Sequence, residues 1–443
     1  MRRWCCAGYR AAFAWKPLPD KMTALPAVLK RLSRAAHAWV ARVSILKPGQ
    51  ARIPIALLPA CVAFALTGCR PHDFPQYPPN YREYAYVPNG GSATVTILDV
   101  VNVRVDRELA VGQNPVAVAA SPTRNEVYVV NSGPAGGNGS VSVIDAQRNA
   151  VEATISVGRT PVSIDVDPQG RLAYVANSGS NSISVIDLAT RREIARMGTG
   201  EEPVDARLAP DGKTLVVANK RGNSVTLIDP ASGHVRAVFE GCPGATDAVI
   251  LPDSSKTFVA CSGGHQVMVI ALARRGDGAA EPGSGNAQPA QETDRLEALM
   301  DVGRAPVNLA LKPDGGEIFV SNSLSDSVSE IYNTTDEVGD TFVIGDQPVV
   351  GLVSRDNSLL YVADQSSQYI TIYSIDDGKR VGSVHVGDGP SAMAFSAAGH
   401  LLFVADARSG DVAVVRVNSE SLFTMLPAGR NPDAIAVKAF RVQ

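Results

Sequence analysis

The sequence predicts an all-β chain folded as a β-propeller of eight four-stranded blades, with seven blades as the alternative. Three observations carry the prediction. A unit of about 42 residues recurs between Tyr84 and Phe440. Each unit breaks into short runs of β-branched and aromatic residues set between Gly, Pro and Asn. No run keeps a helical period for more than about two turns.

The unit is anchored by Gly-x-x-Pro, at Gly112/Pro115, Gly158/Pro161, Gly200/Pro203, Gly303/Pro306, Gly345/Pro348, Gly387/Pro390 and Gly429/Pro432. A distorted copy stands at Gly241, Cys242 and Pro243; with it, successive anchors are 46, 42, 41, 62, 42, 42 and 42 residues apart. In the unit after Gly158 the strands read 162–166, 173–176, 182–187 and 193–197. Asp167-Pro168-Gln169-Gly170 supplies the tight reversal between the first two. The second strand closes on a motif that can be counted. It ends at Asn89, Asn131, Asn177, Asn219, Cys261, Asn322, Asp364 and Asp406. Eight motifs against seven complete units mean that one blade is split. Residues 433–440 supply its first strand and 84–110 the other three. Pairing the two ends removes the open edge of the ring. One four-stranded unit cannot bury both of its faces, whereas radial packing of several can.

These repeats resemble the YVTN β-propeller family, named for a Tyr-Val-Thr-Asn strand, to which surface-layer and YncE-like periplasmic proteins belong. The resemblance covers residues 84–440. It implies ligands on the face formed by the Gly-x-x-Pro and Asn-rich loops, the upper face. Familiar members have seven blades; eight-bladed relatives include the haem-d domain of cytochrome-type nitrite reductases. A propeller hosts many activities, so the fold alone names none.

Residues 1–68 have another composition. They hold eleven Lys and Arg against one acid and all three Trp, so the rest of the chain carries −13 of a total of −3. The apolar run 53–68 follows Lys47 and Arg52 and contains Pro54 and Pro59. It is too short and interrupted for a membrane span and has the form of a signal-peptide core. It ends in Leu66-Thr67-Gly68-Cys69, which resembles the bacterial lipobox. That resemblance implies cleavage before Cys69, a lipid on its thiol and, with Arg70 next, the outer membrane. A simple anchor and an ordinary secretory signal are the alternatives. The expected organisation is a leader at 1–68, a lipidated tether at 69–83 and one propeller at 84–443. The low-complexity insert at 273–294 is expected to be disordered.

Candidate chemistry gathers at the channel mouth. Two residues after the anchor Pro, or at its equivalent, the blades present Ala117, Ser163, Asp205, Asp247, Asn308, Val350, Ala392 and Ala434. The polar four are consecutive, and Asp165 and Arg207 lie two residues deeper. Carboxylates near an axis must be paired or hydrated. Two readings stay open: a structural network of Asp205, Asp247 and Arg207, or a site for a cation or ligand amine. Charged rim positions such as Arg159 and Arg304 read either as solvated loops or as a funnel for a polar ligand. Cys242 and Cys261 share a hairpin and are expected to pair in an oxidising compartment. His265 is the one rim histidine. With Cys242, Cys261 and Asp247 it outlines a metal site, but no CxxC or HxxxH spacing supports one. No metal and no cofactor are predicted.

No CxxCH haem-attachment motif, nucleophile elbow or phosphate loop is present, and no catalytic residue is predicted. The leading expectation is a non-catalytic, monomeric lipoprotein scaffold that binds a protein, glycan or small polar ligand on its upper face. A redox-related or hydrolytic propeller enzyme, or a haem-protein maturation partner, is the alternative. Nucleic-acid binding, as in YncE-like relatives, ranks third. A balance of −13 opposes a polyanion, and no Trp follows residue 68 to stack on bases.

Overall fold

The second strand of each repeat reads as a nearly unbroken apolar run. In the computed structural model, which describes residues 75–273 and 293–442, that strand is buried on both faces. The expected leader, Cys69 and most of the 273–294 insert lie outside the described residues. Eight antiparallel four-stranded sheets follow one another along the chain. Blade 1 is the split one: Tyr81–Asn89, Thr94–Asp99 and Arg104–Ala110 pair in order, and Ala436–Arg441 completes them. The innermost strands of blades 2 to 8 are Pro115–Ala120, Pro161–Val166, Pro203–Leu208, Ala245–Ile250, Pro306–Leu311, Pro348–Val353 and Pro390–Phe395.

Eight hydrophobic clusters fill the eight blade interfaces, one each, so no interface is open. Tyr86, Val95 and Ile97 of blade 1 pack on Val127, Val129 and Ile144 of blade 2. On its other side, Ala85, Val87 and Leu98 pack on Phe403, Val412 and Val414 of blade 8. Outer strands are largely exposed and polar, as in Arg104–Ala110.

The anchor glycine and the strand-end Asn are two halves of one device. A Cβ at Gly158 would lie 2.5 Å from Asn177 Cγ, and one at Gly112 would lie 2.7 Å from Asn131 Cγ. Only glycine leaves room for the Asn side chain, which is folded back onto its own hairpin. There Asn177 Nδ2 donates to Ser184 Oγ at 2.9 Å, and Asn131 Nδ2 to Ser142 Oγ at 3.0 Å.

Three boundaries differ from the sequence expectation. Blade 1 starts at Tyr81 instead of residue 84, because Tyr81, Arg82 and Glu83 pair with Arg441, Phe440 and Ala439. The closing strand starts at Ala436 instead of residue 433. Asn89 bridges Pro432, and the register break that follows the anchor Pro in other blades widens over 433–435. In blade 5, Ala245 pairs with Cys261 as Pro203 pairs with Asn219. Ala245 therefore holds the Pro place, and Cys242, not Gly241, holds the glycine place.

Candidate functional site

Side chains from the innermost strands of blades 3 to 6 meet at the channel, and each reaches forward to the next blade. Asp205 Oδ2 accepts the Ala248 N–H at 3.2 Å, and Asp247 Oδ2 accepts the Leu309 N–H at 2.9 Å. Asn308 Oδ1 accepts the Gly351 N–H at 2.8 Å. Asp165, two residues deeper, accepts the Leu208 N–H at 2.7 Å, which is also two residues deeper on its strand. The same geometry is repeated across four successive interfaces. Asn308 Nδ2 also donates to Asp247 Oδ2 at 2.9 Å.

Arg207 bridges this arc. Its Nε donates to Asp205 Oδ2 at 3.0 Å, and its Nη2 stands 3.8 Å from Asp247 Oδ1. The Asp205 side chain is 7% exposed and that of Arg207 45%. The carboxylates are thus turned into the blades and the guanidinium faces the channel. Burial, and next the charge of Asp205, raises the Asp247 carboxyl well above the ordinary carboxylate range, to about 7. Burial also raises Asp165. The Asp205 charge holds the Arg207 guanidinium more firmly protonated than usual. Ser163 Oγ is buried and has no hydrogen-bond partner among the described residues.

A cavity of about 300 Å³ opens on this arc toward the lower ends of the strands, lined by Asp165, Arg207, Asp247, Asn308, Pro210 of the following turn and the apolar Val249 and Leu311 among others. A larger one, about 620 Å³, lies on the outer side between blades 3 and 4. Its walls are glycines, Val235, Val238, the buried hydroxyls of Ser224 and Thr226 and the exposed Glu201–Arg221 pair, and no buried charged group converges on it. Convergence of polar groups, more than volume, marks a binding site, so the channel cavity is the candidate.

Other sequence candidates lie elsewhere. His265 stands in the left-handed region at φ 58°, and its Nδ1 accepts the Ala305 N–H at 3.2 Å. Asn181, Asn223 and Asp326 do the same for Glu202, Gly244 and Gln347 at 2.9, 3.0 and 3.0 Å. His265 is therefore a loop cap in this blade and does not line the channel cavity. All four caps sit four residues after the strand-end motif, a spacing visible in the sequence. Arg159 and Arg304 are exposed, and their backbone N–H groups donate to Ser180 and Ser325. Cys242 and Cys261 are disulfide-bonded and fully buried, with Cα atoms 4.8 Å apart. Among the described residues no group of three or more His, Cys, Asp and Glu is arranged to hold a metal ion.

One feature had no sequence signal. Lys438, on the closing strand, is buried and donates from Nζ to the Ser121 carbonyl of blade 2 at 2.6 Å. Burial lowers its pKa. Asp364 and Asp406, in the strand-end Asn place of blades 7 and 8, are pushed up by burial to about 7 and about 8.

The profile described as YNCE-like beta-propeller matches residues 170–268. That described as lactonase, 7-bladed beta-propeller, matches 99–199 and 352–425. No curated protein matches the sequence. Among solved structures, the dihydro-heme d1 dehydrogenase NirN in complex with DHE is similar at 18% identity and a TM-score of 0.63, over 91% of this chain and 85% of that one. Citrobacter koseri AztD is similar at 14% and 0.60, over 82% and 99%. Kuenenia stuttgartiensis hydrazine synthase is similar at 23% and 0.51, over 75% and 92%. At these identities the likeness is one of fold.

Proposed function

Taking the chain as a β-propeller with YncE-like repeats, we propose that it is a non-catalytic binding protein whose channel takes a small polar ligand bearing a positive charge, such as an amine. One observation carries this reading. Asp165 and Asp247 line a cavity, Asp205 stands on the innermost strand between theirs, and the three carboxylates share one guanidinium, Arg207. The backbone donors that hold them are neutral, so the arc keeps a surplus of negative charge. A cation in the cavity would relieve it and stabilise the fold by mass action. Val249, Ile250 and Leu311 line the same cavity and suit an apolar ligand body. In the same reading Cys69 carries a lipid and the protein is anchored to the outer membrane.

The channel cavity does not favour the haem-related alternative. The cavity lining contains no His, Cys, Met or Tyr, the side chains that hold haem iron.

Melting curves of the purified protein across divalent cations, amines and sugars test the proposal. An amine is expected to raise the melting temperature, and Asp205→Asn with Asp247→Asn to remove that shift. Asp247 must be ionised to attract the ligand, so affinity should rise with pH through about 7. If no panel member moves the unmodified protein while the double variant is destabilised, the arc is a structural network only.

A further inference from the structure

The chain enters the propeller through a clasp on the lower face. Tyr77 and Tyr81 stack with ring centroids 4.8 Å apart and planes 6° from parallel. Tyr77 Oη is 3.0 Å from His400 Nε2, in the turn between the first and second strands of blade 8. His400 Nδ1 is 3.1 Å from the buried Ser396 Oγ. Tyr81 Oη donates to Glu83 Oε2 at 2.6 Å, and Glu83 Oε1 accepts the Ala397 N–H of the same turn at 2.5 Å. Glu83 is itself buried. Tyr77 is thus fixed to the lower face, opposite the rim of Gly-x-x-Pro loops.

We infer that this clasp makes the lower face the side turned to the lipid bilayer and the rim of Gly-x-x-Pro loops the side turned away. The inference rests on the reading that Cys69 carries a lipid. Eight residues separate Cys69 from Tyr77, a reach of at most about 29 Å. From the His400 turn to the upper rim, the path round a blade crosses about 14 Å of strand spacings and then about 20 Å of strand length. The tether is too short for that path while the clasp holds. With the clasp open, the free chain runs from Cys69 to Tyr81, twelve residues and about 43 Å, and the upper rim comes within reach. The four residue steps from Tyr77 to Tyr81 therefore decide which face the bilayer meets.

The test uses the full-length lipidated protein in vesicles containing a lipid with a quencher on its headgroup. Asp376→Cys and Asp346→Cys place a dye at the lower and upper ends of blade 7, both at exposed positions. The lower dye is expected to be quenched more strongly than the upper one, and Tyr77→Ala to remove the difference. Equal quenching at both positions in clasped, vesicle-bound protein overturns the orientation and leaves the lipid reading standing. Protein that does not stay on vesicles, with Cys69→Ser behaving the same, overturns the lipid reading and the orientation with it.

Discussion

Cys242 and Cys261 are bonded to each other in the two places where the other seven blades set a glycine against an Asn or Asp. In those blades a Cβ on the glycine would strike the opposing side chain at 1.9–2.8 Å. Two cysteines at so close an approach are within bonding distance, and the disulfide replaces the noncovalent device.

The replacement is matched elsewhere in the hairpin. Asn177 and Asn219 find hydroxyls seven residues on, at Ser184 and Thr226, whereas Cys261 has the buried Met268 there. Cys242→Gly with Cys261→Asn should therefore lose about as much stability as reduction of the bond, ~2–4 kcal/mol. Met268→Ser itself removes buried core volume, but should cost about 1 kcal/mol less in this double variant than in the unmodified protein, because the introduced side-chain amide gains an acceptor. Chemical denaturation of the four proteins measures both steps. An equal cost in the two backgrounds would show that the hydroxyl is not what the Asn requires.

Gly158→Ala should cost about 1–3 kcal/mol, because its methyl group would meet Asn177 and Ser180 Oγ at 2.5 and 2.6 Å. Gly198→Ala, at an exposed outer-strand end with nothing within 4 Å, should change stability by less than about 0.5 kcal/mol. Thermal denaturation of the pair separates steric need from generic strand preference. Similar losses at both positions would end the steric account.

Stability should fall as pH rises from about 4 to about 8, through Asp364 and Asp406. Both carboxyls are raised in the folded state, so their contribution is complete below the unfolded value and is lost as pH climbs through the folded ones. Asp364→Asn and Asp406→Asn restore the residue that five other blades carry, and remove the titration. The double variant should gain melting temperature at pH 8 and gain little at pH 5. A gain independent of pH would show that these carboxyls do not titrate in that window.

Much of this architecture can be read from the chain. Spacing of Gly-x-x-Pro and the counted second-strand motif give eight blades and the split one. The consecutive polar positions from Ser163 to Asn308 point to one side of the channel. What the repeat does not show is where a side chain goes. Asp205 and Ala248, or Asp247 and Leu309, lie 43 and 62 residues apart and meet only because blades pack radially. Periodicity says which residues are equivalent, not that a carboxylate reaches the next blade's backbone. His265 misleads for a simpler reason. Its alignment with Asn181, Asn223 and Asp326 is in the sequence, but a histidine on a rim invites a chemical role more readily than a cap.

Deleting residues 436–443 should abolish soluble expression. It removes Val437 and Phe440 from two interface clusters, the Lys438–Ser121 contact and the pairing of Tyr81–Asn89 on one edge. Lys438→Met, by contrast, keeps the strand and swaps a buried cation for a similar apolar volume, and should fold with unchanged or higher stability. Soluble yield and melting temperature of the two variants make the comparison. A cooperatively folded truncation would show that seven blades and three strands suffice.

The split blade also sets an order of events in the life of each molecule. Blade 1 is begun before the other seven blades and finished after them, since its innermost strand follows them all along the chain. Until then both blade 2 and blade 8 have an unsealed flank. An interrupted message yields a polypeptide that remains an open arc, however many of its middle blades have formed. Passage of synthesis beyond the closing strand is thereby written into tertiary structure: a closed ring certifies that the chain was made at least as far as Arg441.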